Sequence, residues 1–276
     1  MKVMANSIPK GGTHLLLRLI ELLNLKPHPF WIGADLIRGR GEFFRKWRKG
    51  SFSNQVVEIG SEVPVDIGTQ WLQKKLKKIP ENCVFGAHCQ YTPELSALLE
   101  AEYIKTICIV RDPRSIAVSH LDYVKRSPGH FFHKHYMSLA NDNARLSMSI
   151  SGGQLGRYKL ESLGYRYEQY VDWAKKAGAL IVRFEDLVGS KGGGNDEQQR
   201  KAIADVISYL SINLTEPEQN AVAEKLFGDT STFRKGQIDS WKDELNEQQK
   251  VDVQRTAGKI LIELGYELDD NWVTMA

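Results

Sequence analysis

KVMANSIPKGGTHLLLRLIELL, residues 2–23, decides how the rest of the chain is read. Lys2 to Ile8 is a short half-apolar run that stops at Pro9, which suits a strand ending in a turn. Beyond the turn, Leu16, Leu19, Ile20 and Leu23 fall at helical spacing and make one apolar face. The order is strand, glycine loop, helix. The loop Pro9-Lys10-Gly11-Gly12-Thr13-His14 has the composition of an anion cradle. Its glycines let backbone amides approach an anion, and the helix start adds unpaired N–H groups and a positive dipole end. Lys10 adds a mobile charge and Thr13 a hydroxyl. It is not a Walker A loop, because the lysine precedes the glycines instead of following them. An ordinary strand-to-helix turn fits the same letters.

The same alternation continues. Val84 to Ala87 reads as a strand closing at His88, and Tyr103 to Val110 as a β-branched strand stopped by Arg111-Asp112-Pro113. Pro113 suits the first turn of a helix, here running to about Arg126. Leu180 to Phe184 reads as another buried strand. Helices are expected over residues 68–79, 93–102, in two or three pieces between 133 and 177, and over 196–209, 216–227 and 246–264. Residues 30–65 read as irregular loops, 191–195 as a surface loop and 228–240 as a further loop. Short apolar strands alternating with helices predict a single α/β domain over residues 1–276. It has a P-loop-like parallel sheet flanked by helices on both faces. Ligands in such sheets bind beyond the carboxyl ends of the strands. The loops at 9–13, 87–90 and 111–114 all follow strands, so they should meet at one end.

Bulk properties exclude several classes. Apolar residues make 42% of the chain and charged residues 26%, which are globular values that exclude disordered and fibrous chains. A net charge of +3, from 37 basic and 34 acidic residues, is too mild to demand nucleic acid. Cys83, Cys89 and Cys108 are odd in number and lack C-x-x-C spacing, which speaks against a disulfide framework or zinc ribbon and for buried thiols in a reducing compartment. The apolar stretch 15–23 contains Arg18 and Glu21 and is too short to span a bilayer. Cytoplasmic location with no membrane partner is the expectation.

Two further segments have phosphate-binding chemistry. Arg111 follows a buried strand, and its planar fork suits a phosphate. Ser119 lies eight residues on, about two helical turns, so it can face the same side. A helix-terminal salt bridge from Arg111 fits equally. Phe233-Arg234-Lys235-Gly236, followed by Trp241, offers two cations and a glycine, either as a clamp or as a solvated charge pair.

In order, the Pro-Lys-Gly-Gly-Thr loop, Arg111-Asp112-Pro113-Arg114 with Ser119, and Arg234-Lys235-Gly236 with Trp241 resemble the sulfotransferase family that uses 3′-phosphoadenosine 5′-phosphosulfate (PAPS). Arg183-Phe184-Glu185-Asp186-Leu187 and Gly86-Ala87-His88 add to the match, which spans Ser7 to Trp241. The resemblance implies that Lys10, Gly11, Gly12, Thr13 and His14 bind the 5′-phosphosulfate, and that Lys10 meets charge on the leaving phosphate. It implies Arg111, Ser119, Arg234, Lys235 and Gly236 for the 3′-phosphate, Phe184 near adenine and His88 as general base, with no metal. A structural histidine at a strand end is the other reading of His88. The product would be adenosine 3′,5′-bisphosphate (PAP), and the acceptor a small molecule, by default a hydroxyl and alternatively an amine or guanidine nitrogen. The size fits a bacterial or cytosolic enzyme, such as one tailoring a natural product. Two departures stand out. The loop reads Gly-Gly-Thr-His where many relatives have Ser-Gly-Thr-Thr, and Phe184 replaces a common tyrosine.

Phe30, Trp31, Phe43, Phe44, Trp47, Tyr123, Phe131 and Phe132 read either as an acceptor pocket or as core. His130, His133 and His135 lack metal-ligand spacing and read as surface histidines. A P-loop kinase would require Gly-Lys-Ser/Thr, which is missing. A non-catalytic nucleotide-binding protein would have no use for both Lys10 and His88.

Overall fold

The computed structural model describes residues 1–227 and 238–273. Strand β1 (Lys2–Ser7) leads through the glycine loop into α1 (Thr13–Leu22), then β2 (Lys26–Ile32), α2 (Glu42–Arg48), the hairpin β3 (Val56–Ile59) and β4 (Val65–Gly68), and α3 (Thr69–Lys77). Next come β5 (Cys83–Ala87), α4 (Pro93–Ala101), β6 (Ile104–Val110) and α5 (Pro113–Arg126). They are followed by α6 (His133–Met137), α7 (Asp142–Ser151), the hairpin β7 (Gly153–Leu155) and β8 (Tyr158–Leu160), α8 (Leu163–Ala177), β9 (Leu180–Arg183) and α9 (Phe184–Leu187). The chain closes with α10 (Asp196–Leu210), α11 (Glu216–Leu226), α12 (Trp241–Glu244) and α13 (Glu247–Glu263).

Among the described residues, five parallel strands form the central sheet in the order β2-β5-β1-β6-β9. Every residue of β1 is buried, because helices cover both faces. Val3 and Ala5 point to one core, shared with Leu16 and Leu19 of α1, Ile203 of α10 and Val222 of α11. Met4 points to the other, shared with Phe85, Leu95, Val124, Tyr167 and Leu261. This is the expected α/β domain with a parallel sheet flanked on both faces.

Residues 30–65 are more regular than expected. They hold the end of β2, a short helix and a hairpin. Pro27 and Pro29 hide β2 in the sequence, since proline cannot complete a ladder in mid-sheet. The strand accordingly sits at the sheet edge, with a register shift between Pro27 and Trp31. A second hairpin, β7–β8, interrupts the helices between 133 and 177. Phe184 opens α9 instead of ending β9. Cys83, Cys89 and Cys108 are free and buried. Burial pushes the thiols of Cys89 and Cys108 up to about 12, so neither is a nucleophile at neutral pH. No helix among the described residues is long and apolar enough to cross a membrane.

Helices α8 and α13 cross at Gly164, where an added methyl would overlap the Thr256 carbonyl. Backbone cannot rotate away as a side chain can. Gly164→Ala is therefore expected to cost about 1–3 kcal/mol through overpacking, read as a lower urea midpoint with an unchanged slope.

Candidate active site

At the carboxyl ends of the strands lies a cavity of about 800 Å³. Lys10, Gly12, Thr13 and His14 line it from the loop after β1, His88 from the end of β5, Arg111 from the end of β6 and Ser119 from α5. The three loops do meet at one end of the sheet. Ser115, one helical turn before Ser119, lines the same wall.

The loop after β1 is tightly determined. Gly12 adopts φ 105°, a left-handed conformation that side chains resist, and a Cβ there would come within 2.6 Å of the Phe184 ring. Gly11 is buried and does not line the cavity; its N–H donates to the Ile8 carbonyl at 2.9 Å, and a Cβ would stand only 2.9 Å from that oxygen. Glycine therefore suits this turn, where any Cβ would crowd the Ile8 carbonyl. Lys10 holds φ 71°, uncommon for a non-glycine residue. Its ammonium rests 4.7 Å from the centre of the Tyr123 ring. Burial, followed by the charges of Arg111 and Arg126, lowers its pKa. The Thr13 hydroxyl bonds that of Ser7 at the strand end. His14 stands on the first turn of α1, its ring partly open to solvent and partly desolvated against the cavity, which together with the charge of Lys10 lowers its pKa.

His88 is fixed by its backbone contact. Its Nδ1 lies 2.9 Å from the Ser7 carbonyl oxygen, which can only accept a hydrogen bond. Nδ1 therefore carries the proton, and the neutral ring keeps its lone pair on Nε2. Burial lowers the pKa, against opposing pulls from the Ser7 carbonyl, Glu62 and Asp35. The Trp31 ring lies edge-on at 5.0 Å. Gly86 gives that ring its space, since any side chain there would overlap it.

Arg111 and Arg114 have separate roles. Arg114, 2% exposed, grips Asp112 with Nε and Nη2 at 3.0 and 2.7 Å, pairs with Glu267 and lies 3.8 and 4.7 Å from the ring centres of Trp241 and Trp272, which stand edge to face. It is a strut. The Arg111 guanidinium instead lies over the Phe184 ring at 4.5 Å and faces the cavity, with no ion pair among the described residues. Burial lowers its pKa, while Glu185, Tyr167 and Asp112 oppose the shift. The salt-bridge alternative thus belongs to Arg114. Glu185 accepts from the Asp112 backbone N–H at 2.9 Å and from the Tyr266 hydroxyl at 2.8 Å, tying the end of β9 to that of β6. Arg234, Lys235 and Gly236 lie outside the described residues. No group of three or more metal-ligating side chains occurs among the described residues.

A family model described as the sulfotransferase domain matches residues 1–265. The chain belongs to the sulfotransferase family. No curated protein matches it by sequence. Among solved structures, mouse sulfotransferase SULT7A1 complexed with PAP superposes with TM-score 0.58 at 16% identity, over 99% of this chain and 88% of that one. Retinol dehydratase in complex with androsterone and inactive cofactor PAP superposes with TM-score 0.59 at 16% identity, over 94% of this chain and 80% of that one. At such identities the likeness is one of fold.

The opposite wall of this sulfotransferase's cavity was not legible in the sequence. It is built from Asp35 in the turn after β2 and from Ser61 and Glu62 in the β3–β4 hairpin. Glu62 is 6% exposed and lies 3.1 Å from His120 Nε2 and 3.4 Å from Arg166 Nη1. Arg166 also donates to the Ser149 carbonyl at 2.7 Å. Burial alone would raise the Glu62 pKa, but His120 and Arg166 bring it down to about 2. The aromatic candidates divide. Tyr123 and Phe131 line the cavity and Trp31 packs on His88; Phe132 is fully buried core and Phe30 packs against core. Phe43, Phe44 and Trp47 are in neither place. The surface reading of the histidines fails, because all three are half-buried. His130 lines the cavity and stacks on Phe131 at 4.6 Å, and His133 Nδ1 lies 2.7 Å from the Val124 carbonyl oxygen.

Glu62 gives a pH signature. Its folded pKa lies below the ordinary value near 4.5, so its contribution is complete above that value and is lost as pH falls toward about 2. Glu62→Gln removes the titrating group. Urea midpoints measured from pH 5 downward should fall less steeply for this variant than for the parent.

Proposed function

We propose that the chain, acting as one catalytic domain over residues 1–276, transfers the sulfuryl group of PAPS to a hydroxyl, alternatively a nitrogen, of a small acceptor. One juxtaposition carries this reading. Lys10, Thr13, Arg111 and Ser119 share a cavity with a histidine whose Nδ1 is tied to backbone and whose Nε2 keeps its lone pair. About 800 Å³ is ample for a nucleotide and a small acceptor together, since ligand pockets run to about 300–1,000 Å³.

In the proposed step the acceptor oxygen forms a bond to sulfur as the bond from sulfur to the bridging phosphate oxygen breaks. The acceptor proton passes to His88 Nε2, and the electron pair of the broken bond stays on the phosphate. Lys10 and the amides at the start of α1 stabilise that charge, the kind of positioned electrostatics that governs phosphoryl transfer. Arg111 and Ser119 hold the 3′-phosphate, with Arg234, Lys235 and Gly236 assigned to the same group. The Phe184 ring, wedged between Gly12 and the Arg111 guanidinium, shapes both phosphate sites. Asp35, Ser61 and Glu62 favour an acceptor bearing hydrogen-bond donors over a bare hydrocarbon.

Calorimetry with PAP tests the donor site. The native protein should bind it without metal, and Arg111→Ala should bind about tenfold or more weakly, since charge-assisted hydrogen bonds contribute roughly 1.5–3 kcal/mol. Equal affinity for PAP and adenosine monophosphate, or a preference for ATP with magnesium, would overturn the assignment.

The pH profile tests the base. Catalysis needs neutral His88, and burial holds its pKa below the ordinary 6.5. Accordingly kcat/KM should rise with pH through a value under 6.5 and be level by neutrality. His88→Ala should lower kcat by about 10²–10⁴-fold with PAP binding retained. Unchanged turnover would remove His88 from the role.

A further inference from the structure

Phe43, Phe44, Trp47 and Phe52 are 68%, 68%, 70% and 60% exposed. None of them lines the cavity. They are also not scattered. Ring centroids lie 6.0 Å apart for Phe43 and Phe44 and 5.8 Å apart for Phe43 and Phe52, so these three rings form a contiguous patch, and Trp47 follows Phe43 by four residues on the same helix, α2. Single exposed apolar residues need no explanation, but a patch of large aromatics does.

The charge around the patch has one sign. Between Arg40 and Lys49 the chain carries Arg40, Arg45, Lys46, Arg48 and Lys49 against one acid, Glu42. That carboxylate is already shared by Arg38, Lys46 and Arg157 at 2.9, 3.2 and 2.8 Å. Lys75 of α3 adds to the field: it and Lys49 both lie over the Trp71 ring, at 5.3 and 5.5 Å. Helix α2 is also firmly seated. Arg45 donates to the Asp35 and Arg38 carbonyls at 3.0 and 2.8 Å, and Lys49 to the Leu36 carbonyl at 2.8 Å. The rings are therefore presented by a pinned element.

We propose that this face docks on an anionic lipid bilayer, with the four rings in the boundary between headgroups and acyl chains and Arg40, Lys46, Arg48 and Lys75 against the lipid anions. Phe and Trp are side chains of that boundary layer, and surrounding lysines and arginines match the negative potential of an anionic leaflet. A second copy of the chain is a poor occupant, because a two-fold contact through this patch would bring the same cations face to face. No spanning helix is needed, since a short cationic face with exposed aromatics lies in the interface plane.

Co-sedimentation of the full chain with vesicles tests the proposal, using phosphatidylcholine alone and phosphatidylcholine with about one-third phosphatidylserine. Binding is expected to the anionic vesicles only. It should weaken steeply as salt rises past about 0.1 M, where the screening length is about 10 Å. The variant F43S/F44S/W47S should bind at least roughly tenfold more weakly, with an unchanged thermal midpoint and unchanged PAP affinity. R40E/R48E, which leaves the rings intact, should show a similar loss at low salt. Three results would each overturn the proposal: no binding to anionic vesicles at low salt, equal binding to both vesicle types, or equal binding by parent and F43S/F44S/W47S. A lipid-free dimer that F43S/F44S/W47S converts to monomer would do the same, by assigning the patch to a subunit contact. PAP affinity reports separately on the donor site, so a failure there leaves this test readable.

Discussion

The Asn6 side chain joins two strand ends. Its amide nitrogen donates to the Cys89 carbonyl at 2.9 Å, and its carbonyl oxygen accepts from the Cys89 N–H at 3.0 Å. Cys89 is fully buried, so its N–H would otherwise be a costly orphan at about 1–3 kcal/mol. The Tyr170 hydroxyl caps the Asn6 carbonyl at 2.6 Å, and the Trp173 indole N–H donates to the Cys89 carbonyl at 3.0 Å. Helix α8 thereby clamps the junction from one face of the sheet. One residue beyond Asn6 the Ser7 carbonyl holds His88, and the Ser7 hydroxyl holds Thr13. The glycine loop and the candidate base are consequently positioned by a single junction between β1 and β5.

A second junction positions Arg111, the side chain proposed for the 3′-phosphate. The Asp112 carboxylate accepts from the Arg114 N–H at 2.8 Å at the start of α5, and the Asp112 N–H donates to Glu185. The Tyr167 hydroxyl donates to the Arg111 carbonyl. With its backbone held on these sides, Arg111 has its guanidinium left for the cavity, over the Phe184 ring. The same ring excludes any side chain at Gly12. The loop after β1 and the arginine after β6 thus share one aromatic wedge. Toward Gly12 and Arg111 the contacts of Phe184 are made by its ring, with no part for a phenol hydroxyl.

Legibility in the sequence followed burial and locality. Strands β1, β5, β6 and β9 lie inside the sheet or end on its site, and their apolar runs stand out. Strand β2 escaped because Pro27 and Pro29 belong to an edge, where an imperfect ladder is tolerated. The hairpin strands β7 and β8 are three residues each, too short for a periodic signal. The donor side of the cavity was readable because glycines, Lys10 and Arg111 carry their chemistry at strand ends. Glu62 was not, since nothing near Ser61-Glu62-Val63 announces His120 and Arg166, which the fold brings from distant helices. For His130 to His135 composition misled, because polar letters on short elements were set against an aromatic wall.

The two sides of the cavity are built on different supports, and that division bears on specificity. Lys10 and Arg111 follow strand ends, and Ser119 lies in the second turn of α5, which packs on the sheet. Asp35, Ser61 and Glu62 come from a turn and a hairpin outside it, tied to the β1–β5 junction through Gly60, whose N–H lies 3.5 Å from Cys89 Sγ and whose carbonyl accepts from the Gln90 N–H. Glu62 nevertheless remains ionised, because His120 and Arg166 outweigh the cost of its burial. An ionised carboxylate near a neutral histidine favours acceptors that donate hydrogen bonds, whereas a protonated acid would donate its own. Under the proposed function, that preference falls on the same chemical group whose proton His88 would receive.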